Sequence, residues 1–274
     1  MFDSKENEKN LWQKKRRGQI AQAADQMAIV LQPMGAIEQH GPHLPIDTDI
    51  TSSFTISALA AQQVDEFPVL VLPPIWWGLS PYWMGFAGTL SLRPETMLAV
   101  IDDVAGGVAY HGFHKLVLVN GHGGNAGLIE AAATKASKPG LEVAALSYWE
   151  LIPTFIREVC ERDGGDVGHA GELETSTQLY LQSDCVDLTQ VSEEQCLDLN
   201  PRAPLEGLHP DTLLDVRTRG RPGMGAVYLP PHPEREAPHG VYGFALEGNV
   251  EKGEKIINEA ATALADFLRK FYNA

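Results

Sequence analysis

Residues 115–137 read KLVLVNGHGGNAGLIEAAATKAS. The first six, Lys115 to Asn120, are a short apolar run bounded by polar residues. A run of that length predicts a strand covered on both faces, as in a parallel sheet. Residues 125–137 are rich in alanine and predict a helix. Between them, Gly121, Gly123 and Gly124 surround His122 and suit a tight strand-to-helix turn. The stretch is one βα unit with a histidine at the strand's carboxyl end.

The same unit recurs on either side. Strands are expected at 28–33 (AIVLQP), 68–73 (PVLVLP) and 142–147 (EVAALS). Helices are expected at 50–65, 95–111, 170–183 and 251–272, the last strongly amphipathic. This alternation predicts a three-layer α/β/α fold around a mostly parallel sheet. The whole chain, 1–274, is read as one domain. Residues 1–24 form a helical lead-in, and 186–245 a loop insertion rich in Pro and Gly.

Of the 274 residues 44% are hydrophobic, enough for one substantial core. The formal net charge is -15, which repels phosphate backbones and argues against nucleic acid as a partner. Apolar runs such as Val69 to Ile75 are too short to cross a bilayer. Lys14-Lys15-Arg16-Arg17 is followed by no secretory apolar segment and reads as a solvated helix face. Cys160, Cys185 and Cys196 are widely spaced and form no CxxC pair, which fits a reducing cytoplasm. No GxSxG elbow and no phosphate loop are present.

In open parallel sheets, ligands gather beyond the carboxyl ends of the strands. There this sequence places Glu38, His40, Asp49 and His122. Carboxylate and imidazole are the donors that hold Zn²⁺, Mn²⁺ or Fe²⁺. Glu38 and His40 are two residues apart, so in an extended loop both reach one site. Asp49 precedes a helix and has two oxygens, enough to bridge two ions about 3.5–4 Å apart. Further on, Gly168-His169-Ala170-Gly171-Glu172-Leu173-Glu174 opens another expected helix. If the helix includes His169, then Glu172 shares its face and supplies a carboxylate to the same pocket. Glu174, two residues on, points elsewhere in such a helix and is read either as a solvated or capping carboxylate or as the alternative ligand.

These segments resemble the creatininase (creatinine amidohydrolase) family. The matching residues are Gly35-Ala36-Ile37-Glu38-Gln39-His40-Gly41-Pro42-His43-Leu44-Pro45, Asp47-Thr48-Asp49, Asn120-Gly121-His122-Gly123-Gly124-Asn125 and His169-Ala170-Gly171-Glu172-Leu173-Glu174-Thr175. Gly78-Leu79-Ser80 and Gly88-Thr89-Leu90 match more weakly. The resemblance runs from about residue 25 to the end of the chain. It implies two divalent ions (Zn, Mn or Fe) on Glu38, His40, Asp49 and His122, with Asp49 bridging. It implies hydrolysis of a carbon–nitrogen bond in a small cyclic amide or formamide, proton transfer by His169, and a homohexamer.

The chain departs from creatininase proper in ways that bear on substrate. Where that enzyme has a tyrosine and a metal-binding glutamate after the third-strand histidine, this chain has Gly123 and Gly124. Glu172 is the expected replacement ligand, with a catalytic role as well. A family tryptophan four residues before the proton-transfer histidine is Gly165 here, although Asp166 keeps an acid nearby. Tyr82-Trp83 and Phe86-Ala87-Gly88-Thr89 also alter the pocket wall. Ser80, Trp83, Gly123 and Asp166 are the expected substrate-binding residues, and creatinine itself is disfavoured. The rivals are hydrolysis of a carbon–carbon or lactone bond in a sugar- or inositol-like ring, and a metal-containing binding module without turnover.

Overall fold

A computed structural model describes residues 8–160, 162, 168–196 and 237–274. Four strands, β1 (Ile29–Met34), β2 (Val69–Val71), β3 (Lys115–Asn120) and β4 (Glu142–Ser147), form an all-parallel sheet in the order β2-β1-β3-β4. The helices are α1 (Arg17–Asp25), α2 (Thr48–Gln62), α3 (Pro94–Tyr110), α4 (Ala126–Ala136), α5 (Pro153–Val159), α6 (Glu172–Gln182) and α7 (Val250–Tyr272).

Alternation along the strands builds two cores, one on each face. Ile29, Leu31, Val69, Val71, Val117 and Val119 pack against α2, α5 and α7. Val30, Met34, Leu70, Leu116 and Leu118 pack against α1, α3 and α4. The expected α/β/α layering is therefore present. Helix α7 shows why one apolar stripe suffices for a helix on such a face. Ile256, Ile257, Ala260, Ala261, Leu264, Ala265 and Leu268 are all buried, at helical spacing.

β3 and β4 match their expected spans, and β2 is shorter than expected at Val69–Val71. Helix α5 was not foreseen, and α6 begins at Glu172 rather than 170. Most of the 186–245 insertion lies outside the described residues, as do Gly165 and Asp166.

The strand order places the site. From β1 the chain goes outward to β2, then returns past β1 to β3, so β1 and β3 are neighbours whose connections leave in opposite directions. A crevice opens at such a switch point. The register aligns Met34 with Asn120, so the segments carrying Glu38, His40 and His122 leave the sheet side by side. The amino end of α2 closes over this crevice, and two glycines let it in. A Cβ on Gly35 would lie 2.7 Å from Asp49 Cβ, and one on Gly121 would meet Asp49 O and lie 3.0 Å from Ser53 Cβ.

Gly121→Ala is therefore expected to push α2 off the sheet end. Overpacking of this kind costs about 1–3 kcal/mol. Urea denaturation with an unchanged m-value would read it directly.

Candidate metal centre

Four segments converge at the switch point. The loop after β1 supplies Glu38 and His40, the first turn of α2 supplies Asp49, the end of β3 supplies His122, and the first turn of α6 supplies Glu174. All five are buried. Two ligand sets emerge, each with donor atoms within 4.8 Å of one another: Glu38, Asp49 and His122, and His40, Asp49 and Glu174. Asp49 belongs to both. Its Oδ1 is 3.2 Å from His40 Nε2 and its Oδ2 is 3.0 Å from His122 Nδ1. His122 Nδ1 also lies 3.3 Å from Glu38 Oε1, and His40 Nε2 lies 3.7 Å from Glu174 Oε2.

The far nitrogen of each imidazole is anchored on backbone. His40 Nδ1–H donates to its own loop at Glu38 O (3.1 Å), leaving Nε2 for the centre. His122 Nε2–H donates to Leu79 O (3.0 Å), leaving Nδ1. Such outer hydrogen bonds fix the tautomer and the ring orientation. Asn120 and Asn125 stiffen the β3 turn. Asn120 Oδ1 accepts from His122 N–H (3.1 Å), and Asn125 Nδ2–H donates to Gly35 O (3.0 Å).

His169 completes a third set with Glu38 and His40. Its Nδ1 is 3.5 Å from Glu38 Oε1, and its Nε2 is 2.8 Å from Gln39 O. Trp83 stacks on it with ring centroids 4.3 Å apart. His169 keeps 12% of its side chain exposed, whereas His40 keeps none. Of the two, only His169 can be reached by a substrate. The next residue, Ala170, has φ 52 and is buried, a left-handed backbone that is uncommon outside glycine.

The carboxylate from α6 corrects the sequence expectation. Glu172 is fully buried but turned toward α7, where Lys252 Nζ lies 2.5 Å from its Oε1. Glu174 faces the ligand sets, and its Oε2 also accepts from the Ala170 N–H. The physical reason is the helix start. His169 precedes the left-handed Ala170 and lies outside the helix, so the three-residue spacing to Glu172 sets no common face. Two residues along a helix turn the side chain by about 200°, so Glu172 and Glu174 point to opposite sides.

The other expected site residues divide. Trp83 flanks His169. Ser80 is buried, and its hydroxyl is 3.2 Å from His122 Nε2. Gly123 borders open space. Asp166 lies outside the described residues. Trp76 and Trp77 are 44% and 48% exposed. Gln39, Thr89 and Leu79 were not foreseen as contributors. Thr89 Oγ1 accepts from Gln39 N–H at 3.0 Å and holds the Glu38–His40 loop. Only the family pattern around Gly88-Thr89 hinted at it.

Charge explains what this cluster is for. Burial opposes a charge on His40, but Asp49, Glu174 and Glu38 outweigh it and raise its pKa to about 10. Burial likewise opposes charge on His122, and Glu38, Tyr82 and Asp49 raise its pKa well above the ordinary value. Burial would raise Asp49, yet the two imidazoles hold it well below the usual carboxylate range. Burial pushes Glu174 up to about 7, against the pull of His40. Burial and the neighbouring His40 charge push His169 well below its ordinary value, so it is neutral at physiological pH. Three buried carboxylates thus need positive charge between them. Glu38 Oε2 is buried and accepts no hydrogen bond among the described residues. An orphaned oxygen, imidazole nitrogens and carboxylates so gathered fit divalent metal binding.

The comparisons agree with this geometry. The family model described as creatinine amidohydrolase matches residues 13–268. The chain belongs to the creatininase family. It is 28% identical to the creatinine amidohydrolase of Pseudomonas putida over 258 residues, 88% of this chain and 89% of that one. It is 29% identical to 3-dehydro-scyllo-inosose hydrolase of Thermotoga maritima, covering 92% of this chain and 79% of that one. It is 30% identical to the mycofactocin precursor peptide peptidase of Mycolicibacterium smegmatis, covering 89% and 85%. A solved manganese form of creatininase superposes with a TM-score of 0.76 at 25% identity, covering 97% of this chain and 99% of that one.

Two outcomes are expected. Glu174→Gln is expected to lower the metal content of the loaded protein, whereas Glu172→Gln keeps it and lowers thermal stability, as measured by elemental analysis and a melting curve. Because the raised pKa values leave His40 and His122 protonated without metal, an entering ion must displace those protons. Affinity therefore rises with pH. It should be about tenfold or more weaker at pH 6 than at pH 7, with proton release visible as a buffer-dependent heat in calorimetry.

Proposed function

We propose that this chain is a binuclear, divalent-metal-dependent hydrolase that cleaves a carbon–nitrogen bond in a small cyclic amide or formamide. The observation that carries this is the sharing of Asp49 between two complete ligand sets. Glu38, Asp49 and His122 would hold one ion, and His40, Asp49 and Glu174 the other. Zn, Mn and Fe all suit these donors. Ions so paired polarise a carbonyl and lower the pKa of water toward ~7.

The chain's own residues do the rest. His169 is neutral, so its Nδ1 can accept a proton beside Glu38 and pass it to a leaving nitrogen. Trp83 covers one face of that ring and holds it flat against the centre. Gly123, with no side chain and open space before it, lets a substrate approach the β3 turn. Trp76 and Trp77 offer exposed aromatic faces beyond β2 for a planar ring. The names of two relatives, a creatinine amidohydrolase and a peptide peptidase, support an amide bond as the target.

A second reading is hydrolysis of a carbon–carbon or lactone bond in an inositol-like ring, supported by the inosose hydrolase relative. The same ligands and the same proton carrier would serve it. We also propose a cytoplasmic homo-oligomer, a hexamer. The exposed Met84 and Leu90 are the kind of apolar surface that subunit contacts cover. Multi-angle light scattering would give the subunit number.

The test is turnover of cyclic amides and formamides against cyclic ketones and lactones, before and after EDTA, with Zn, Mn or Fe restored. Activity is expected to vanish on chelation and return with metal. His122→Ala and Asp49→Ala should lose about 100-fold or more, since each removes an ion ligand. Undiminished turnover in metal-free protein would end the proposal. Stoichiometric metal and ligand binding without product would favour a binding module.

A further inference from the structure

The turn Pro81–Trp83 reaches the centre with two consecutive rings. Trp83 stacks on His169. Tyr82 extends to the β3 turn, and its hydroxyl ends where a side chain on Gly124 would begin. A Cβ built on Gly124 would overlap Leu79 O, His122 Nε2 and the Tyr82 hydroxyl together. Those three atoms therefore crowd one small volume at the outer edge of the His122 ring. Ser80 Oγ lies 3.2 Å from the same nitrogen.

This strap is itself held in place. Leu79 N–H donates to Asn125 Oδ1 at 3.0 Å, and Ser80 N–H donates to Ser91 Oγ at 2.9 Å. Trp83 N–H closes the turn on Ser80 O at 3.0 Å. Pro81 sets the backbone at the turn's first position. Tyr82 is thus delivered on a rigid element, pinned to the same β3 turn that carries His122.

We propose that Tyr82 is a positioning residue for His122. Its hydroxyl, admitted by the bare Cα of Gly124, joins Leu79 O and Ser80 Oγ in fixing the Nε2 edge, so that Nδ1 is presented to the ion site of Glu38 and Asp49. Oxygen atoms gathered on the far N–H of a ligating histidine lock its tautomer and raise the basicity of the ligating nitrogen. The role is confined to one ligand set. His40, Asp49 and Glu174 are delivered instead by the β1 loop, α2 and α6. The inference rests on the two-ion reading above.

The test is a Co²⁺ titration of the metal-free full chain against a competing chelator, followed by the cobalt d–d absorption. Wild-type protein is expected to take up two equivalents. Tyr82→Phe keeps the ring and loses only the oxygen. It is expected to melt like wild type and to weaken one equivalent by about 10–100-fold, leaving the other unchanged. Gly124→Ala, which forces the same three atoms apart, is expected to weaken the same equivalent. Two unshifted equivalents in both variants would overturn the inference while leaving the metal reading intact. Equal weakening of both equivalents would also overturn it, since that marks a general structural role. Wild-type protein that takes up no cobalt would overturn the metal reading and this inference with it.

Discussion

Asp49 stands between two imidazoles with one oxygen turned to each, 3.2 Å from His40 and 3.0 Å from His122. Much of the fold can be understood as the means of keeping it there. A buried carboxylate is costly unless charge or hydrogen bonds compensate it. Asp49 lies in the first turn of α2, where the helix amino end favours a negative group. That end must reach into the crevice between β1 and β3, which requires Gly35 and Gly121 to yield their side-chain space. The crevice exists because the strand order reverses between those two strands. Topology, glycine placement and ligand chemistry therefore constrain one another at a single residue.

The orientation of the histidines comes from backbone carbonyls. Glu38 O takes the Nδ1 proton of His40, and Leu79 O takes the Nε2 proton of His122. The two rings consequently present different nitrogens to the centre. Carbonyls are present in every residue, so no sequence pattern announces this arrangement. A carbonyl also cannot be removed by substitution, which makes the anchoring robust to mutation of the residues that provide it.

That distinction explains what the sequence disclosed. Strands β3 and β4 were legible because continuous apolar runs bounded by polar residues have few other uses. The convergence of Glu38, His40, Asp49 and His122 was legible because strand ends in such sheets gather polar residues, and the two-residue spacing of Glu38 and His40 suits an extended loop. Between Glu172 and Glu174 the sequence favoured Glu172 and left Glu174 as the alternative. Both are acidic residues in the first helical turn, and which one faces inward depends on the left-handed Ala170 and on the contacts of α6 with α7. Alanine gives no warning of that conformation. Tyr82 was visible only as an altered wall residue, because its contact with the Gly124 space joins positions 42 residues apart.

The two glutamates of α6 show how a helix end can be held to a rotation. Glu174 faces an electrostatically crowded centre, where Asp49 and Glu38 repel its charge while His40 and the Ala170 N–H draw it in. Glu172, on the opposite side of the same turn, is tied to Lys252 of α7. Lys252 also donates to Glu247 O at 3.1 Å, so the ammonium is fixed from both sides. Ser176, one turn on, receives Asn249 N–H on its hydroxyl at 3.2 Å and itself donates to Glu172 O. These bonds anchor the side of α6 away from the centre. A helix anchored on one side has little freedom on the other, which adds to the hold of His40 and the Ala170 N–H on Glu174. A buried ion pair contributes little net stability by itself. Its value here lies in helping to set the rotation of a helix whose opposite face presents Glu174 to the candidate metal site.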